Sequence, residues 1–156
     1  MRKFILVLLF LVSLSGGTAV VPAVPIQKLE LQPGWNLMTL EGAPLQPEKF
    51  VVLKPMVFDT TRRSYILCTI GTELKRGTAV WIYCAKAQSV EVPLVAASVT
   101  GQTVAPASGW SMVGATGAAP SWLSQVALPF FRWDAPRGFV PAATPEAGKG
   151  YWVKKQ

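Results

Sequence analysis

The chain of 156 residues contains no histidine, only two cysteines and only 15% charged residues, with 8 acidic side chains against 15 basic ones. Each scarcity removes a class of chemistry. Without histidine there is no imidazole to act as general base for a serine or cysteine nucleophile, and no Cys/His set to close around zinc. No metal and no other cofactor is expected. The basic residues are scattered, and their densest pairs are Arg62-Arg63, Lys75-Arg76 and Lys154-Lys155. No stripe of cations is interleaved with aromatics, so no nucleic-acid partner is expected. Thirteen glycines and thirteen prolines, set among valines and aromatic residues, favour short strands and turns over long helices.

The N-terminus is the most explicit segment present. "MRKFILVLLFLVSLSGGTAV" runs from basic Arg2 and Lys3 through an apolar stretch, Phe4 to Val12, into small residues. That order predicts a secretory signal peptide over residues 1–19, with cleavage as late as residue 23. An uncleaved anchor is the alternative. The apolar stretch is short for a span and is interrupted by Ser13, Ser15, Gly16 and Gly17, so no membrane span is expected after cleavage. The expected product is a secreted, periplasmic or extracellular single domain over residues 20–156. Its net charge falls to +5 once Arg2 and Lys3 are gone.

Export gives the two cysteines a reading. An even count in an oxidising compartment predicts a disulfide. "SYILCTI" and "TAVWIYC" read as strands joined through "GTELKRG". A hairpin centred near Arg76 sets Cys68 opposite Cys84. Such a bridge contributes on the order of 3 kcal/mol.

The chain is also written twice. Gly34-Trp35-Asn36-Leu37-Met38 corresponds to Gly109-Trp110-Ser111-Met112-Val113, and the same offset carries Phe58-Asp59 onto Trp133-Asp134. With small deletions in the turns, Tyr65 meets Phe139 and Trp81 meets Trp152. Length changes confined to turns are the mark of tandem copies. The copies run over residues 32–84 and 108–155, joined by residues 93–107. Each opens with a glycine turn and a strand ("GWNLMTL", "GWSMVGA"). A middle stretch able to hold a helical turn follows, with Ser121 as a candidate cap in the second copy. Each then has a strand ending in aromatic-Asp, a polar turn, another strand, and a closing strand ("AVWIYC", "YWVKK"). One copy alone buries too little of its sheet to be stable. The expected fold is therefore all-β: two tandem repeats of about fifty residues with pseudo-two-fold symmetry, forming a small barrel or sandwich with at most short helical turns.

The pairing of "PGWNLMTL" with a later "GKGYWVKK" resembles a loosely defined group of secreted bacterial β-modules. In that group a Gly-Trp-Asn-Leu strand opens the repeat and a Gly-x-Gly-Tyr-Trp strand closes it. The first copy here has Ala79 and Val80 where the second has Gly150 and Tyr151, and the second has Ser111 in place of Asn36. The resemblance implies an accessory module of the cell envelope or exterior, with no catalytic activity attached.

Asp59 and Asp134, one per copy, resemble the two half-sites of an aspartic protease. The glycine that family needs after Asp-Thr/Ser is replaced by Thr61 and Pro136. The simpler reading makes each Asp the cap of its own polar turn. "GWSMVG" has the wrong spacing for a nucleophile elbow, and the interchange of Ser111 with Asn36 points to a shared side-chain-to-backbone bond instead. Glu146 with Asp134, or Glu73 with Asp59, could in principle form a glycosidase-like carboxylate pair, but acids in turns are usually just solvated. A non-enzyme is expected, with a small hydrolase using Asp59 and Asp134 as the alternative.

Four tryptophans occupy equivalent places, Trp35, Trp81, Trp110 and Trp152, and are expected as structural anchors meeting in the core. Tyr83, Phe131, Trp133 and Tyr151 are left as candidate ligand-binding rings. The expected function is binding or structure at the bacterial cell envelope, with a protein or a surface polysaccharide as partner. A carbohydrate-binding module using exposed aromatics is the alternative form of that function.

Overall fold

Side chains in "IQKLEL" alternate: Gln27, Leu29 and Leu31 point inward, Ile26, Lys28 and Glu30 outward, which makes a one-sided strand, β1 (Ile26–Leu31). The computed structural model describes residues 23–100, 103–117 and 119–156; the expected signal peptide over residues 1–19 lies outside the described residues. The remaining strands are β2 (Gly34–Thr39), β3 (Met56–Asp59), β4 (Ser64–Leu67), β5 (Ala79–Cys84), β6 (Gln88–Pro93), β7 (Trp110–Gly114), β8 (Val126–Asp134), β9 (Gly138–Ala142) and β10 (Gly150–Lys155). Helix is confined to single turns. Pro47, preorganised for a first helical position, starts α1 (Pro47–Phe50), and tighter turns follow at Val51–Leu53, Ala96–Ser98 and Leu123–Gln125. Ser121 does not cap the last of these; its hydroxyl meets that of Thr103 at 2.8 Å.

The strands form two four-stranded antiparallel sheets and a separate two-stranded ribbon. The first sheet has the order β2-β5-β3-β4 and the second β7-β10-β8-β9. Strand for strand these are the same order, so the two copies share one topology. In both, the closing strand lies between the opening strand and the middle hairpin. The sheets remain separate, so the fold is a sandwich and not a closed barrel. The ribbon pairs β1 with β6 and covers the outer face of the first sheet.

Three apolar layers hold these parts together. Beneath the ribbon lie Leu29, Leu31, Val92 and Leu94, packed on Met38, Leu40, Val80 and Ile82 of the first sheet with Phe50 from α1. On the outer face of the second sheet, Val113, Phe130, Tyr151 and Val153 close around Trp122. Trp122 is fully buried, and its indole N–H donates to the Gly114 carbonyl at 2.8 Å. Each large apolar side chain so buried contributes about 1.5–3 kcal/mol. Between the sheets, Leu37, Ala79, Trp81 and Met112 form the third layer, with Met56, Phe58, Trp133 and Trp152 packed against it.

Backbone bonds sew the two sheets together at one end. The Thr39 N–H donates to the Gly148 carbonyl at 3.0 Å, and the equivalent Gly114 N–H donates to the Gly77 carbonyl at 2.8 Å. The sheets approach so closely there that Gly150 has no room for a side chain: a Cβ would stand 2.7 Å from Leu37 Cγ and 3.1 Å from Ala79 Cβ. Within "GKGYWV" the two glycines therefore do different work. Gly148 makes the turn at φ +80°, while Gly150 lies inside β10 and permits contact between sheets.

The expected disulfide is not formed. Cys68 and Cys84 are free, buried thiols in the core beneath the ribbon. The hairpin that would have faced them does not exist, because β3 lies between β4 and β5. The "GTELKRG" segment carries the chain past β3, so Cys68 and Cys84 are not cross-strand neighbours. Cys84 Sγ donates instead to the Lys86 carbonyl at 2.5 Å. Burial pushes the Cys68 thiol up to about 11.

Candidate functional site

Alternation places one row of large side chains on the inner face of each sheet. In the first sheet these are Trp35 and Leu37 of β2, Trp81 and Tyr83 of β5, Met56 and Phe58 of β3, and Tyr65 and Leu67 of β4. The cross-strand registers Trp35↔Tyr83, Leu37↔Trp81, Met56↔Trp81 and Phe58↔Tyr65 fix their positions. In the second sheet the registers Lys154↔Trp110, Trp152↔Met112, Trp152↔Phe131 and Trp133↔Phe139 build the same pattern.

The inner faces cover each other in part, and the rings of the two copies interleave symmetrically. Trp81 meets Trp133 and Phe139 of the other sheet with ring centres 5.0 and 5.9 Å apart, and Trp152 meets Phe58 and Tyr65 at 4.6 and 6.3 Å. These edge-to-face contacts are the favourable geometry for aromatic pairs. The Trp133 indole N–H adds a 2.7 Å bond to the Trp35 carbonyl.

Beside these contacts each inner face stays open in part. Trp35, Met56, Tyr65, Trp81 and Trp133 line a cavity of about 200 Å³ on the first sheet. Trp110, Phe131, Phe139 and Trp152 line one of about 380 Å³ on the second. The lining residues correspond: Trp35 with Trp110, Trp81 with Trp152, Met56 with Phe131, Tyr65 with Phe139. Two related aromatic platforms thus stand on one chain.

The sequence-predicted residues fall on both sides of this division. The four anchor tryptophans do share the inner faces, but only Trp81 is buried. Trp152 is half-buried, and Trp35 and Trp110 are 41% and 47% exposed. Of the candidate binding rings, Tyr83 is 57% exposed beside Trp35, with ring centres 5.4 Å apart. Phe131 floors the second platform and Trp133 walls the first. Tyr151 does not belong with them. It faces the outer core, is fully buried, and its hydroxyl accepts the Glu146 N–H at 2.6 Å, so neither ring face is open to a ligand. Burial also raises its phenol above the usual tyrosine range.

Sequence reasoning missed Tyr65, Phe139 and Met56 as platform residues. The available signal was their place in the repeat: Met56 pairs with the anchor Trp81 across a strand, and Tyr65 and Phe139 correspond to each other between the copies.

The acidic residues are engaged locally. Asp59 Oδ1 accepts the N–H groups of Thr61 and Arg62 at 2.9 and 3.0 Å, with the Arg62 side chain 3.7 Å from Oδ2. Asp134 has Arg137 at 3.4 Å in the equivalent turn. Glu146 pairs with Arg132 at 2.6 Å, and Glu73 with Lys75 at 2.9 Å. Among the described residues no group of three His, Cys, Asp or Glu side chains could hold a metal ion, and no helix is long and apolar enough to cross a membrane. Comparison of the chain with protein-family models, curated proteins and solved structures returns no match.

Proposed function

We propose that the protein is an exported, non-enzymatic binding module of the bacterial cell envelope that engages a surface polysaccharide through its two open aromatic platforms. The observation that carries this reading is the incomplete overlap of the two inner faces, which leaves Trp35, Tyr65, Tyr83, Trp110 and Phe139 partly in water. Contiguous exposed apolar patches of this kind mark interaction sites. Their chemistry favours sugar: rings outnumber branched aliphatics in both cavities, and the C–H faces of a pyranose carry the weak positive charge that a π face attracts. Export rests on the N-terminal sequence pattern.

The test is titration of the full-length mature protein with a panel of soluble polysaccharides, followed by tryptophan fluorescence. Saturable quenching, weakened by Trp35→Ala and by Trp110→Ala with the circular dichroism unchanged, is the expected result. Absence of quenching by every polysaccharide, in a protein shown to be folded, would remove the sugar reading. Capture of a protein partner, lost in the same variants, would then replace it.

A further inference from the structure

We infer that the two platforms differ in ligand charge: the first takes a neutral sugar surface, and the second is built for a sugar that carries a carboxylate on its ring, a uronic acid. The inference rests on the binding reading above and adds a substrate class to one of its two sites.

Among the inner-face positions that correspond between the two sheets, charge differs at one place. Tyr83, across from Trp35 in the first sheet, corresponds to Lys154, across from Trp110 in the second. The inner-face positions of the first sheet that these registers define carry no charged side chain. Those of the second carry one, Lys154. It is exposed, and among the described residues no ion pair or side-chain hydrogen bond holds its ammonium. Directly opposed residues of an antiparallel pair have Cβ atoms about 5 Å apart. A sugar ring stacked on Trp110 therefore lies within the sweep of the Lys154 side chain.

No carboxylate stands at any inner-face position of either sheet to repel an acid or to occupy the lysine. The cation is also too exposed to serve packing, since its neighbour on the outer face, Val153, is the residue that enters the core. A uronate answers this arrangement better than a phosphodiester does. Its charge sits on the stacked ring itself, whereas a phosphodiester places the charge between rings, away from the platform. Flat apolar contact with Trp110, Phe131 and Trp152 then supplies most of the affinity. Lys154 supplies the preference for the acid.

The experiment compares acidic oligosaccharides with their own methyl esters, so that ring shape is held constant while charge is removed. Oligogalacturonate, oligomannuronate and hyaluronan fragments, each with its ester, are titrated into the mature protein at low ionic strength. Binding is read by tryptophan quenching and calorimetry. At least one acid is expected to bind roughly threefold to fivefold tighter than its ester, the scale of an exposed charge pair. Lys154→Gln is expected to abolish that difference while leaving ester binding intact. Trp110→Ala removes it as well, and Trp35→Ala retains it. If acid and ester bind equally, or the preference survives in Lys154→Gln, the charge assignment is overturned while sugar binding stands. If neither acid nor ester binds to folded protein, the charge assignment is likewise overturned, and the sugar reading falls with it only if the full polysaccharide panel also gives no quenching.

Discussion

Thr39 and Gly114 hold equivalent places in the two copies and meet where the sheets cross, so that a Cβ on Gly114 would stand 2.8 Å from the Cβ of Thr39. Two copies of one unit cannot both carry a side chain at that point. The Thr39 hydroxyl uses the space to donate to the Lys149 carbonyl at 2.5 Å. Gly114→Thr is therefore expected to destabilise by about 1–3 kcal/mol, the usual cost of overpacking. The swap Thr39→Gly with Gly114→Thr should recover part of that loss, since the same contact is then made from the other side. Urea unfolding of the four members of this cycle measures the coupling. A coupling near zero would mean that the two positions do not meet.

Asn36 and Ser111 solve one problem with different side chains. The Asn36 amide donates to the Gln32 carbonyl at 2.8 Å while its oxygen accepts the Gln32 N–H at 2.9 Å, and the Ser111 hydroxyl donates to the Ala107 carbonyl at 3.1 Å. Both bonds reach back four residues and fix the chain as it enters the opening strand. Asn36→Ala should cost about 1–3 kcal/mol because it strands buried polar groups. Ser111→Ala, with one bond at stake, should cost about 0.5–1.5 kcal/mol. Asn36→Ser should fall between wild type and Asn36→Ala in thermal unfolding; equality with Asn36→Ala would count against the shared role.

The repeat made these relations legible before any coordinates. Matching "GWNLM" to "GWSMV" identified β2 with β7, and the aromatic-Asp anchors located the equivalent hairpins. What the repeat could not convey was how far the two sheets overlap. Equivalence places Trp35 and Trp81 in the same class, yet Trp81 packs against Trp133 and is buried while Trp35 is exposed. That difference depends on the crossing geometry, which is set by close contacts such as Leu37 on Gly150. The disulfide expectation rests on pairing strands adjacent in sequence, while β5 pairs with β2 and β3, a longer-range choice. The ribbon lies outside both copies, so the repeat carries no signal for it, although "IQKLEL" alternates plainly.

Asp59 and Asp134 offer a direct separation of turn chemistry from catalysis. Asp59 acts as an acceptor for two backbone N–H groups, a task the asparagine oxygen performs equally well. Asp59→Asn and Asp134→Asn should each stay within about 0.5 kcal/mol of wild-type stability, as their arginine partners are exposed. Asp59→Ala should cost about 1 kcal/mol through the lost acceptor. The wild-type protein is expected to hydrolyse neither peptides nor glycosides. Turnover that vanished in the double asparagine variant would assign these carboxylates to catalysis instead.

Cys68 ties stability to alkaline pH. Burial raises its thiol to about 11 from an ordinary value of 9.0. Between those values the unfolded chain has lost the proton and the native chain has kept it. The unfolded state therefore binds fewer protons, and stability must fall as pH rises through this window, levelling only above the native value. A two-unit difference sets the full loss at roughly 2–3 kcal/mol. Tyr151, raised by burial as well, pulls in the same direction. Urea midpoints measured from pH 7 to 10.5 should decline for wild type. Cys68→Val should decline less, and Cys68→Val with Tyr151→Phe should be flatter still. The same burial predicts that iodoacetamide at pH 8.5 leaves Cys68 unmodified in the folded protein and labels it once urea unfolds the chain. Rapid labelling of the native protein, or a Cys68→Val profile as steep as wild type, would place this thiol in water rather than beneath the ribbon.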